Sequence, residues 1–422
     1  MKKILVFGSV AFVLLFAISS MVGCDSTINT VGDSHFTEEG YFITDSTETG
    51  FFTPEHPSNV KFYVEVSGSM NGFFRANKPT DFKSDLWHVL SYYSAIAPEV
   101  CILTNDGDQG AKMSQSQFQT QMNTGAFVSQ ASTKIPLMLK SIINNLDADN
   151  GEVAVLVSDM KYSPVGAAAP AVLMTQYSTD VSKILGTYGK AVSLICATSD
   201  FLDKNGNVVT PTSPYYYFII GNDRQVAEMR NGISVLLQNR GHFVDNIESG
   251  FNYGRPKHSF GIPNKCEQLD DEPTFVAYED EEPGDTCTVK LKVNLENYRW
   301  LTSVDQVFRN AFQVKALFGS VVKVGNITIE TQNITEKELK RVSTAIIEIK
   351  VCNMAVDSEV LEWTLELPDT DYTLFNEYFD GAFDENDPTK SFSVMDFVKG
   401  IFYGGVVNKK LEPNYILISK KG

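Results

Sequence analysis

Five short apolar runs alternate with longer segments of helical period between residues 59 and 240, and this alternation constrains the fold most. The runs are Val60–Val66 (VKFYVEV), Val100–Leu103, Glu152–Ser158 (EVAVLVS), Ala191–Ala197 (AVSLICA) and Tyr215–Ile220 (YYYFII). Rich in β-branched and aromatic residues and bounded by turn formers, they read as buried strands. Residues 84–97 place Leu86, Val89, Leu90, Tyr93 and Ile96 on one helical face, with Ser84 as N-cap and Pro98 as stop. Thr133 opens a second helix through Leu146, with Ile135, Leu139, Ile142 and Ile143 on its apolar side and Pro136 in its first turn, where a missing N–H costs little. Segments 170–187 and 226–237 continue the pattern. Continuous apolar strands interleaved with helices imply an α/β fold, a doubly wound and mostly parallel sheet covered on both faces over residues 58–245.

Polar groups gather where such strands end, which is where open α/β sheets bind ligands. The first strand delivers Glu65, then Ser67 and Ser69; the run 152–158 delivers Asp159; Thr133 stands at the start of a helix. Three hydroxyls and two carboxylates are an all-oxygen set, which suits a hard divalent cation. Magnesium (or manganese or calcium) is the expected cofactor, with a coordination position open to a partner's carboxylate.

Val64-Glu65-Val66-Ser67-Gly68-Ser69-Met70 resembles the DxSxS signature of von Willebrand factor type A domains. Leu156-Val157-Ser158-Asp159 resembles their fourth-strand element, and Thr133-Lys134-Ile135-Pro136 their metal-site threonine with its helix. The resemblance spans about 180 residues in order and in secondary-structure context. It implies a metal-ion-dependent adhesion site in which the serines and the threonine bind magnesium and the acidic residues assist, partly through water. Three features depart from the pattern: Glu65 replaces an aspartate, Met160 stands where a glycine is usual, and Ser129-Gln130-Ala131-Ser132 lacks a glycine pair.

Other motifs carry less. Asn105-Asp106-Gly107-Asp108-Gln109-Gly110 lacks the downstream glutamate of a calcium loop and reads as a polar turn. Asn205-Gly206, between Phe201-Leu202 and Val208-Val209, reads as a hairpin turn. Tyr215-Tyr216-Tyr217 and His88 read as packing residues. No P-loop, dinucleotide fingerprint, GxSxG, CxxC or HExxH occurs. A hydrolase using Asp159 and Glu65 as acid and base lacks a nucleophile and an oriented histidine, so the chain reads as a non-enzyme.

A total of 422 residues suggests two or three folded units. Residues 246–286 hold scattered Gly and Pro and an acidic run from Asp270 to Glu282, and read as a connecting segment. From 287 to 422 short strands follow one another, several with period-two alternation, as in Thr288-Val289-Lys290-Leu291-Lys292-Val293. Leu361, Trp363, Leu365 and Leu367 share one strand face. This implies a C-terminal β-sandwich-like domain, with residues 391–406 as a helix over one of its edges.

The N-terminus indicates the compartment. Met1-Lys2-Lys3, an apolar stretch from Ile4 to Val22, and Gly23-Cys24 resemble a bacterial lipoprotein signal, which implies cleavage after residue 23 and lipidation (palmitate) of Cys24. An uncleaved anchor or an ordinary export signal are the alternatives; all three place the body outside the cytoplasm. Residues 24–57, rich in Ser, Thr, Gly and acid, read as a tether whose last part docks on the first domain. Export permits a disulfide between Cys266 and Cys287, which would close a loop worth roughly 3 kcal/mol, whereas Cys101 and Cys196 read as buried thiols.

With 52 acidic against 35 basic residues the formal charge is −17, so the chain has no general attraction to nucleic acid or anionic lipid. These features together lead to the expectation of a lipid-anchored cell-envelope protein, at the outer membrane or cell surface, that engages a protein partner through a divalent cation. The alternative is a structural or assembly component of the envelope built on a metal-free scaffold.

Overall fold

The computed structural model describes residues 52–103, 109–125, 127, 133–162, 170–261, 266–268, 275–278, 286–295, 305–333, 341–353, 358–366, 378–380, 387–404 and 411–420. Cys24, the signal segment and most of the tether lie outside the described residues, as does most of the 105–110 turn. Among the described residues no helix is long and apolar enough to cross a membrane.

Seven strands form the central sheet: β1 (Asn59–Glu65), β2 (Glu99–Leu103), β3 (Gln109–Met113), β4 (Glu152–Ser158), β5 (Ala191–Leu202), β6 (Val208–Gly221) and β7 (Phe243–Ser249), in the order β3-β2-β1-β4-β6-β5-β7. Five helices accompany them: α1 (Asp81–Tyr92), α2 (Gln115–Thr124), α3 (Ile135–Asn144), α4 (Pro170–Tyr188) and α5 (Asp223–Arg240). Strand alternation divides the core. Phe62, Val64, Val153, Val155 and Val157 pack with the apolar faces of α1, α2 and α5, whereas Tyr63, Ala154 and Leu156 pack with α3 and α4. The α/β fold with helices on both faces is therefore present.

The sheet is mixed. β1 runs parallel to β2 and β4, and β5 shares their direction, but β6 lies antiparallel between β4 and β5. β3 and β7 likewise run antiparallel, to β2 and β5. For β6 the cause is the Asn205-Gly206 turn. Asp203 accepts hydrogen bonds from the backbone N–H groups of Asn205 (2.8 Å) and Asn207 (2.8 Å), and Gly206 adopts φ +83°, so β5 returns directly as β6 with no crossover helix.

The elements between the strands differ in detail from the sequence reading. α1 is capped by Thr80, whose hydroxyl accepts from Lys83 N–H, and not by Ser84. α2 falls in a polar stretch without apolar period; its signal is the capping box Ser114-Gln115-Ser116-Gln117, with both reciprocal bonds formed. His88, expected to pack, is exposed and accepts from Arg240 through Nδ1 at 3.0 Å. Tyr215, Tyr216 and Tyr217 are fully buried, as are Cys101 and Cys196.

The C-terminal half builds two further sheets. One joins β8 (His258–Gly261), β11 (Cys287–Asn294), β13 (Val321–Asn333) and β14 (Arg341–Cys352); the other joins β9 (Cys266–Gln268), β10 (Phe275–Tyr278), β12 (Phe312–Ala316), β15 (Ser358–Leu365) and β18 (Asn414–Lys420). Val289, Leu291 and Val293 of the first share a core with Leu361, Trp363 and Leu365 of the second, and the His258 and Trp363 rings meet edge to face at 5.3 Å. A short helix, α6 (Asp305–Ala311), precedes β12. The stretch 246–286 is thus more than a connection, since β8, β9 and β10 arise from it and complete the sheets. Cys266 and Cys287 belong to different sheets; the Cys266 side chain, and with it the pairing, lies outside the described residues.

The chain then returns to the α/β body. A two-stranded ribbon, β16 (Phe379–Asp380) with β17 (Ser391–Phe392), leads into α7 (Val394–Gly404). The expected helix exists but lies against α4 instead of a sandwich edge, with Phe397, Val398 and Ile401 buried among Tyr177, Val181 and Phe218. At the other end Phe52 packs on Tyr253 at 5.0 Å and Glu55 pairs with Arg224 at 2.8 Å, so the last residues of the tether are docked.

Candidate functional site at the carboxyl edge of the sheet

β1 and β4 are parallel neighbours in register, Val64 beside Val157, so their last residues emerge together. β1 ends on Glu65 and β4 on Ser158, with Asp159 next in the chain. Ser67 and Ser69 flank the start of a single 3-10 turn, Gly68–Gly72, and no side-chain cap bond ties Ser67 to that turn. Thr133 precedes α3 by two residues and does not cap it; the N-cap position is Lys134.

Freed from capping, the Thr133 hydroxyl donates to Glu65 Oε1 at 3.3 Å. The Ser67 backbone N–H donates to the same oxygen at 3.2 Å, and Ser158 Oγ donates to Glu65 Oε2 at 2.6 Å. Ser67 Oγ and Ser69 Oγ are 2.8 Å apart. The structure therefore brings Glu65, Ser67, Ser69 and Thr133 into one linked cluster, with Asp159 beside it. The extra methylene of Glu65 carries its carboxyl into reach of both Thr133 and Ser158. Ser158, read from the sequence only as part of the Ser-Asp element, makes a shorter bond to Glu65 than Ser67 or Thr133 does.

The electrostatics are unusual for two carboxylates. Glu65 has no solvent exposure and Asp159 only 2 %. Burial first, and then the negative charge of Asp159, push the Glu65 carboxyl up against the opposing bonds from Ser158 and Ser67, and the balance lies at about 7. Asp159 Oδ1 accepts from Lys161 N–H at 3.1 Å, but its Oδ2 is buried with no hydrogen-bond partner among the described residues. An orphaned carboxylate oxygen in such a place is costly unless a cation or water meets it.

Met160 follows in the left-handed region, φ +55°, fully buried, with its N–H donating to Ser158 Oγ at 2.8 Å. A glycine would adopt that conformation without strain, which is the physical content of the glycine usual in the resembled family. Tyr162 stacks on Tyr177 at 4.3 Å, and the Tyr177 hydroxyl is buried without a partner among the described residues; burial, then Tyr162 and the acids Asp396, Glu65 and Asp159, hold it well above the usual phenol range. The sequence offered no signal for Tyr177, because only the helix packing of α4 brings it close.

The donor set fits a cation in part: the orphaned Asp159 oxygen and the paired hydroxyls point toward one, whereas Glu65 is already satisfied by three donors. No group of three or more His, Cys, Asp or Glu side chains converges among the described residues. Asp85, buried under Tyr215 (2.7 Å), Arg240 and His242 (2.8 Å), forms an ion network that extends through Arg240 to the Ser84 hydroxyl. No protein-family model matches the chain, and no curated protein or solved structure is significantly similar to it.

Proposed function

We propose that the chain is a lipid-anchored protein of the cell envelope, held through Cys24, whose von Willebrand A-like body binds a protein partner through a divalent cation at the carboxyl edge. Ser67, Ser69 and Thr133 supply neutral oxygens, Asp159 supplies charge directly or through water, and Glu65 closes the inner side. A carboxylate of the partner completes the shell. The observation that carries this reading is the buried Oδ2 of Asp159, without a hydrogen-bond partner among the described residues, next to a second buried carboxyl. Such a pair invites positive charge more than it invites anything else.

Calorimetric titration of the protein with magnesium and manganese tests it, with Asp159→Ala as control. The expected outcome is binding at micromolar to millimolar metal that the substitution abolishes. An equal heat in the variant, or none in either protein at millimolar metal, overturns the reading.

A second reading has its own support. Three donors already satisfy Glu65, so the glutamate side chain itself fills the role of a bound ion's ligand shell. On that reading the body is a metal-free scaffold in an envelope assembly, and the C-terminal sheets make the contacts. Absence of metal binding in the same titration supports it.

A further inference from the structure

The ribbon that returns from the C-terminal half is bonded to the strand ends on which the site stands. Ser391 Oγ donates to the carbonyl of Asp159 at 3.0 Å, Lys161 Nζ donates to the carbonyl of Asp387 at 2.9 Å, and Ser213 Oγ donates to the carbonyl of Pro388. Ser391 N–H in turn donates to Tyr378 at 2.7 Å, which ties the segment to its ribbon partner. Ser391 is fully buried, and the backbone turns through Ser393 in the left-handed region, φ +67°, as it enters α7. The segment is therefore seated on both sides of Asp159 by three side-chain-to-main-chain bonds that do not depend on its side-chain identities, Ser391 excepted. In this seated arrangement Asp159 and Glu65 are both closed to solvent.

We propose that Asp387–Ser393 is a strap that gates the carboxyl-edge site, and that its release is the step which admits a ligand. This rests on the cation-site reading above. The bonds are of ordinary strength, each worth about fivefold in an equilibrium, and they join parts of the chain that lie far apart in sequence. The seated strap lowers the apparent affinity of the site by the fraction of molecules in which it is closed. Anything that removes the seating bonds raises that affinity without touching a ligand.

The test compares the whole chain with the double variant Ser213→Ala, Ser391→Ala by two measurements. Hydrogen exchange without metal reads the seating. Backbone amides of Met160, Lys161 and residues 389–392 are expected to exchange about tenfold faster in the variant, while amides of α1 and β5 are unchanged and report an intact fold. Manganese binding, followed by the loss of its free-ion electron paramagnetic resonance signal, reads the gate; the variant is expected to bind about fivefold or more tightly. Unchanged exchange at the strap and at Met160 overturns the proposal, as does faster exchange with equal manganese affinity. Faster exchange with no manganese binding by either protein retires the cation reading, and the gate with it. If the double variant fails to fold, Ser213→Ala alone is read in the same way.

Discussion

Glu65 reaches one methylene deeper than an aspartate would, and the residue-scale consequence is a carboxyl held near 7 in the middle of the fold. An acid whose folded value lies above its unfolded one binds its proton more tightly when folded. Its contribution is therefore favourable at low pH, and stability falls as pH rises from about 4.5 through about 7, by about 3 kcal/mol in total, then levels off. Glu65→Gln removes that titration. Urea unfolding at several pH values is expected to show the variant gaining on the parent protein as pH rises through this window, in metal-free buffer. A parallel pair of stability curves would show that Glu65 is not the titrating group. The sequence named Glu65, Ser67, Ser69, Thr133 and Asp159 because turn formers and acids stand out beside apolar strands. It gave no sign that Thr133 would leave its cap to bind Glu65, or that Tyr177 would sit among them, because both depend on packing.

At the scale of elements, burial follows the sequence wherever its period is strong. β11 alternates buried and exposed as its sequence alternates Val, Lys, Leu and Lys, and β4 is buried throughout as its unbroken apolar run requires. The parallel arrangement stops at β4, because the Asn205-Gly206 hairpin makes β5 and β6 antiparallel neighbours. The α4–α7 contact had a sequence trace in Gly400 and Gly404, four apart on one helix face. A Cβ on Gly400 would stand 2.6 Å from Val181 Cβ and 2.9 Å from the Ser178 carbonyl; one on Gly404 would stand 2.7 Å from the Ser182 carbonyl. The helices approach so closely that Gly400→Val is expected to cost about 2 kcal/mol. The check is a lowered urea midpoint, together with faster amide exchange confined at first to α7. A midpoint equal to the parent's would mean that the helices separate at little cost.

For the whole molecule, the return of residues 387–404 makes the α/β body depend on the C-terminal half. Phe397, Val398 and Ile401 are buried on α4 and the sheet, and removing them uncovers apolar surface worth about 5 kcal/mol, comparable with the stability of a domain. A fragment of residues 58–245 is therefore expected to unfold at a markedly lower urea concentration than the whole chain, or to associate through the exposed α4 face. Trp87 fluorescence and light scattering follow the two outcomes. A soluble fragment with the whole chain's midpoint would show that the body is self-sufficient. By itself, the sequence determined the strands and helices of strong period, where the tight turn falls, and which oxygens end β1 and β4, because hydrophobic period and turn chemistry act over a few residues; it missed α2 and β8 to β10, where that period is weak. Only the tertiary structure decided that β6 separates β4 from β5, that Glu65 meets Thr133 and Ser158, and that a strap 226 residues further along the chain bonds to Lys161 beside the site. Those pairings are chosen by the burial of whole faces against one another, and no local pattern encodes which faces will meet.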